Sequence, residues 1–314
     1  MSEERRENRT LVPYVRVSGV MEIQLSALTG YGNIGNYNAV ATANILVNNQ
    51  IYEVPVITGN TMKHWHAYYL ANIYSASGGR SLNTNCMAGI GDRGKNLNNE
   101  NASNDCDAIQ DLCNDIHGYL ITTGTPRKKD SLVKTAFVIP LLTDENVKNV
   151  AKFAVTHNRV SREQMMVFKN EYATATYGFN ILMDLDKVGK DYLGNSCQGI
   201  NEDEVKLRMR SAVLALSLLF SGVGSKQARA LPIVDLKELV IVVADKPIPN
   251  AVHGAYPNYA KETYDIIRRY SNYVNANVHF FVYPRTLLQG ISDANIHGYD
   301  VYTDAIGEAA NYVI

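Results

Sequence analysis

Two stretches of this chain set backbone amides beside positive charge, the combination that holds an anion. In the first, Phe220 to Pro232 reads F-S-G-V-G-S-K-Q-A-R-A-L-P. Gly222 and Gly224 free the backbone for a left-handed turn or for close approach of another molecule, and Lys226, Gln227 and Arg229 follow at once. Fixed N–H dipoles beside two cations and an amide suit a phosphodiester backbone. The same residues also describe a helix cap followed by a solvated turn. The spacing is neither a G-x-x-x-x-G-K-[ST] phosphate loop nor a dinucleotide fingerprint, because the glycines close a helix instead of linking a strand to one. The second stretch, V-P-V-I-T-G-N-T-M-K-H-W-H, ends a strand, turns at Gly59 and starts a helix with Asn60 or Thr61 near its cap. Lys63 and His64 then fall in the first turn, where unpaired N–H groups and the helix dipole favour an anion. The alternative is a solvated lysine and an ordinary surface histidine.

A third group interleaves Arg159, Arg162 and Lys169 with Met165, Met166 and Phe168. Cations among flat or flexible apolar side chains can hold phosphates while wedging between bases, although a Met/Phe cluster equally describes core. Cys86, Cys106, Cys113 and His117 are the metal candidate. Cys113 and His117 have the spacing of a zinc ligand pair, and a structural zinc would hold a weakly hydrophobic insertion in place. No C-x-x-C pair supports it, and free thiols with an ordinary histidine are the other reading. Four cysteines in 314 residues do not suggest a disulfide framework. No further cofactor is expected. Hydrolysis lacks its usual parts: there is no G-x-S-x-G, no H-E-x-x-H, and no Asp, Glu or His between Ser26 and Asn44. The acids gather at a helix start (Glu202, Asp203, Glu204) and in the insertion, where capping and solvation account for them. We therefore expect a protein that is not an enzyme.

The elements that must position these residues follow from composition and periodicity. With 314 residues, 46% hydrophobic and 19% charged, the chain can build one large domain carrying insertions. A net charge of −1 weighs against a wholly basic nucleic-acid binder, yet the chain has 30 Lys and Arg. A groove for about five phosphates needs only about five of them. Tyrosine outnumbers phenylalanine 20 to 7, which suits polar-rimmed contact surfaces. No apolar run approaches the length of a membrane span and the charged first residues lack an apolar core, so the expected location is cytoplasmic.

Residues 1–12 read as a disordered leader, and Tyr14 to Leu25 alternates as a half-buried strand. Asn48-Asn49 marks a hairpin turn, and Met62, His66, Tyr69, Leu70 and Ile73 form the apolar stripe of the first helix. Residues 75–130 form a polar, partly mobile insertion, L-V-K-T-A-F-V-I-P-L-L a strand, and 149–183 a long hairpin. Asn201 with Glu204 caps the helix that leads to the glycine stretch. A strand at Leu236–Val243, a Pro-rich loop, a helix around 258–274, the strand V-H-F-F-V-Y and a polar tail complete the chain. Without the insertions the order is strand, helix, strand, strand, helix, strand. That is an α+β fold with a ferredoxin-like, RRM-like core (βαββαβ) in a single domain over 13–314, with large insertions at 75–130 and 149–183.

Three of these stretches together resemble a known family. V-P-V-I-T-G-N-T-M-K is similar to the P-G-x-[ST]-[LM]-K-G segment of the RAMP superfamily of CRISPR-associated proteins. S-G-V-G-S-K-Q-A-R-A-L-P resembles the C-terminal loop of its DevR-type members, the backbone subunits of type I, I-A-like, CRISPR Cascade complexes. H-G-Y-L at His117–Leu120 is similar to the motif that ends the family's insertion. The resemblance implies an RRM-like palm, a fingers insertion and a thumb hairpin. It also implies copies stacked along a CRISPR RNA, with further Cascade subunits and with target DNA reached through guide pairing. Lys63 and His64 would face the guide backbone, as would Lys226, Gln227 and Arg229, while Met165, Met166 and Phe168 would wedge at a kink. RNA-cleaving type III relatives carry an Asp in the loop after the first strand. Ser26 to Asn44 has none, which points away from the alternative of a metal-dependent ribonuclease. K-H-W-H in place of K-G departs from the family's first motif, and a protein-only scaffold is the remaining reading.

Overall fold

A computed structural model of the chain describes residues 11–26, 28–34, 37–122, 124–161, 164–222 and 233–314. Strand β1 (Tyr14–Ser26) precedes two antiparallel ladders, β2 (Gly30–Ile34) with β3 (Tyr37–Val40) and β4 (Thr42–Val47) with β5 (Gln50–Pro55). Helix α1 (Gly59–Ala76) leads into the insertion, which holds α2 (Thr84–Met87), α3 (Asp105–Ile109), α4 (Leu112–His117) and the ladder of β6 (Tyr119–Ile121) with β7 (Arg127–Lys129). The chain returns through β8 (Val133–Thr135), β9 (Ile139–Pro140) and α5 (Asp144–Lys148) to a long antiparallel pair, β10 (Ala151–Ser161) and β11 (Gln164–Asp184). Helix α6 (Glu202–Ser221), β12 (Ile233–Ala244), α7 (Tyr259–Val274), β13 (Val278–Tyr283), β14 (Ile296–Gly298) and α8 (Tyr302–Tyr312) follow.

The result is a mixed α+β architecture around one large mixed sheet. Its centre runs β12, β1, β11, β8 with every neighbour antiparallel. β13 and β14 extend one side, and β3, β9 and β10 also pair with β11. Alternation sorts the side chains: Val15, Val17, Leu239, Ile241 and Val243 face a core shared with α1, α6 and α8, while Val240 and Val242 face α7. Both faces of the central strands are therefore buried, which is why β12 reads as an almost unbroken apolar run.

The second face is closed by more than a helix. The Pro-rich segment 245–258 crosses β1 and β11, held by Arg16 to the Ile248 carbonyl (2.9 Å), Ser18 to Val252 (2.6 Å) and Asn180 to Ala251 (2.8 Å). A Cβ on Gly254 would collide with the Gly19 carbonyl, so a glycine is required where the segment meets β1.

Several expectations change. The cap of α1 is Thr58, extended at φ −71° and ψ 151°, whose hydroxyl accepts from the Thr61 amide. Gly59, read as the turn, is the first helical residue, because only a glycine lets the Thr135 carbonyl of β8 come so close. The tail contains α8, whose small Ala305, Ala309 and Ala310 bury with Ile306 against the main core. The insertion is ordered by side-chain caps, with Asn83, Asn104 and Asp111 each accepting a backbone amide at the start of a short helix.

The cysteine reading is also corrected. Cys86 pairs with Cys113 and Cys106 with Cys197, across 27 and 91 residues, so these cysteines are neither free thiols nor zinc ligands. The second crosslink closes the longer loop and removes more freedom from the unfolded chain, an effect of about 2–4 kcal/mol in typical cases. It ties the insertion to the segment leading into α6.

A buried charge network joins the same parts. Asp115 of α4 accepts from Arg208 of α6 at 2.8 Å and from Lys129 of β7 at 2.6 Å, with all three side chains at most 3% exposed. It also accepts from the Gly189 amide, while Arg208 reaches Glu204 and the carbonyls of Ile109 and Gln110. Asp115→Asn would leave two buried cations short of their counter-charge. It should destabilise the fold by about 3–5 kcal/mol, read as a lower denaturant midpoint, whereas Asp130→Asn on the surface should change it by under about 0.5 kcal/mol.

Candidate nucleic-acid interface

The N-terminal end of α1 opens on a pocket of about 410 Å³. Thr58, Gly59, Asn60 and Lys63 line one wall, and Ser131, Val133, Lys134, Thr135 and Phe137 line the other. The walls are locked together where the Thr135 hydroxyl donates to the Gly59 carbonyl at 2.5 Å. No acid sits in the first turn of α1, so its exposed amides and dipole face the pocket without a competing carboxylate. Lys63 lies one turn further in than its expected first-turn position, yet still reaches the lining. Partial burial, and then the charge of Arg93, hold its ammonium below the usual lysine range. Lys134 completes the pair of cations. It is the lone charge in its apolar run, and that was the signal in the sequence that marks it.

Helix α6 runs antiparallel to α1. His66 bonds to the Ala212 carbonyl, while Tyr74, eight residues later, bonds to Glu204, eight residues earlier. This pairing brings the C-terminal end of α6 alongside the N-terminal half of α1, and the Tyr69 hydroxyl donates to the Gly222 carbonyl at 3.0 Å. Gly222, the last described residue of this segment, therefore lies against α1. Lys226, Gln227 and Arg229 lie outside the described residues. His64 does not line the pocket; its ring packs edge-on against Trp65 at 5.3 Å, and Trp65 meets Tyr68 at 5.9 Å.

On the long hairpin, Lys169 is exposed and its backbone registers with Thr156 and Tyr37. Arg159 registers with Met166, and Phe168 with His157. The side chains of Arg159, Met165, Met166 and Phe168 lie outside the described residues, as does Arg162 altogether. At the base of the hairpin, Phe153 stacks on Tyr172 at 5.7 Å. The structure thus brings Lys63 together with Lys134 at the start of α1.

The last member of the metal candidate has another role. His66 Nε2 must donate to the Ala212 carbonyl, so His66 Nδ1 accepts from His117 Nε2 at 3.0 Å. His117 Nδ1 is then a buried acceptor with no donor among the described residues. Burial pushes His66 down to about 4. Burial, then the neighbouring His66, Arg93 and Lys63, push His117 down as well.

With the geometry in place, comparison with known proteins gives it a lineage. The family model described as CRISPR-associated negative auto-regulator DevR/Csa2 matches residues 17–264. This chain belongs to the DevR/Csa2 family. It is 49% identical over 277 residues to the CRISPR-associated protein Cas7/Cst2/DevR of Thermoproteus tenax, covering 83% of this chain and 84% of that protein. It is 26% identical over 282 residues to the CRISPR-associated aCascade subunit Cas7/Csa2 2 of Saccharolobus solfataricus, covering 82% and 87%. A chain of a CRISPR RNA-guided surveillance complex in its pre-nicking state shares the fold, at a TM-score of 0.51 and 11% identity over 96% of this chain and 100% of that one. Among the described residues, no helix is long and apolar enough to cross a membrane.

The histidine pair makes a prediction with a definite sign. A histidine whose folded pKa is depressed leaves stability complete above its unfolded value near 6.5, and stability falls as pH drops toward the folded value. For His66 the loss should reach about 2 kcal/mol by about pH 5, with His117 adding to it. Urea unfolding at neutral pH and at pH 5 should show this fall, and a shallower one in His66→Asn. Equal slopes for the two proteins would contradict the assignment.

Proposed function

We propose that this chain is a non-catalytic, guide-RNA-binding backbone subunit of a type I Cascade complex. In this reading the strands β1, β8, β11 and β12 with α1 and α6 are the ferredoxin-like, RRM-like core of one palm domain. The insertion supplies fingers and the β10–β11 hairpin a thumb. Successive copies lie along one CRISPR RNA, joined by other Cascade subunits, and present its bases for pairing with target DNA.

The observation that carries the reading is the α1 pocket, with its two lysines and the positive end of a helix dipole that no acid in the first turn offsets. The pocket sets backbone amides beside Lys63 and Lys134, and Gly222, where α6 ends, lies against Tyr69 of α1. Such a site suits phosphate and sugar contacts, which position a strand without reading its sequence. The S. solfataricus relative is an aCascade subunit by name, and the structural neighbour is part of an RNA-guided surveillance complex, which supports the same assignment. The lining offers cations, hydroxyls and amides, chemistry that holds a phosphate, and we read the protein as non-catalytic on that ground.

If each protomer neutralises about four to five phosphates, log K against log salt should fall with a slope of about −3 to −3.5 per protomer. Lys226→Ala with Arg229→Ala should remove most of the binding and leave the melting temperature unchanged. A slope near zero for the unaltered protein, in titrations with guide-length RNA, would overturn the reading.

A further inference from the structure

Arg93, in the insertion, is a half-buried guanidinium that makes no ion pair or hydrogen bond through its side chain among the described residues. Asp111 and Asp92 act on it as nearby charges without bonding to it, so its N–H donors stay open to a ligand. The backbone beside it is fixed: the Gly94 amide donates to Asn114 Oδ1 at 3.0 Å, and Asn114 Nδ2 donates to the Lys95 carbonyl at 2.6 Å. Asn114 lies on α4 three residues before His117, which is hydrogen-bonded to His66 of α1. His66 in turn is three residues from Lys63, on the same side of its helix. This sequence of contacts brings the backbone at Arg93 toward the start of α1, close enough for its charge to act on Lys63, and Lys63 shares its pocket with Lys134. Neither lysine has an ion-pair partner among the described residues.

We propose that Arg93, Lys63 and Lys134, brought together from the insertion, α1 and β8, grip one phosphate of the bound RNA strand, so that the insertion itself holds the backbone. This rests on the RNA-binding reading above and adds a residue and a subsite to it. A guanidinium presents a planar fork that matches two phosphate oxygens, with the two ammonium groups adding point charge. The electrostatics agree: burial and then the charge of Arg93 hold the Lys63 ammonium below the usual lysine range, and a bound anion would relieve the second.

The test uses the full-length protein and a single-stranded RNA oligonucleotide of guide length in a salt titration. Arg93→Met should weaken binding about tenfold at moderate salt and make the slope shallower by about 0.7, the share of one phosphate. Arg93→Lys should fall between the two, and the unliganded melting temperature of Arg93→Met should change little, because the repulsion of Lys63 and the attraction of Asp111 and Asp92 are lost together. An unchanged affinity and slope in Arg93→Met would overturn the subsite while leaving RNA binding standing. No binding by the unaltered protein would remove both. Should Arg93→Met fail to fold, acylation of Lys63 in the unaltered protein decides: RNA should protect the amine, and equal labelling with and without RNA would overturn the proposal.

Discussion

The Asp115 carboxylate holds this structure together at the point where its parts could most easily separate. One buried anion receives Arg208 from α6, Lys129 from β7 and the Gly189 amide from the segment before α6. A charge group of this kind contributes little net stability over an apolar replacement, but it tolerates no missing member. Its value here is geometric. Asp115 sits two residues before His117, and Lys129 two residues before Ser131, so satisfying one carboxylate fixes both α4 and the approach to β8. The disulfide between Cys106 and Cys197 fastens the insertion to the segment before α6 by a separate route. The α1 pocket therefore has walls set by the insertion and the central sheet together.

The sheet explains why the nucleic-acid candidate lies on an edge. In RRM-type domains an open sheet face carries the stacking aromatics. Here α1, α6 and α8 cover one face of the central strands, while α7 and the 245–258 segment cover the other. Arg16, Ser18 and Asn180, polar groups on that second face, are all engaged by carbonyls of the crossing segment. What remains is the rim where the N-terminus of α1 meets β8.

Much of this fold was legible because its signals are local. The strand alternation of β1, the Asn201 cap of α6, the paired Asn48 and Asn49 turn and the long hairpin all follow from neighbours in sequence. The cysteine pairing was not legible, because partners 27 and 91 residues apart obey no spacing rule. The α1 cap, read at Asn60 or Thr61, lies two or three residues earlier at Thr58 because Gly59 serves a close contact with β8, a tertiary demand that mimics a turn. Helix α8 escaped notice since its buried face is largely alanine. The site divides in the same way. Lys63 announces itself beside a helix start, whereas Lys134 and Arg93 acquire meaning only when β8 and the insertion fold against α1.

The central claim is that RNA runs along the α1 edge and not over the sheet. Photo-crosslinking of guide RNA substituted with 4-thiouridine, followed by peptide mapping, tests it most directly. The account predicts crosslinks to peptides from the start of α1, from residues 131–135 and from the insertion near Arg93. Crosslinks confined to the 245–258 segment and α7, or none above background, would contradict it.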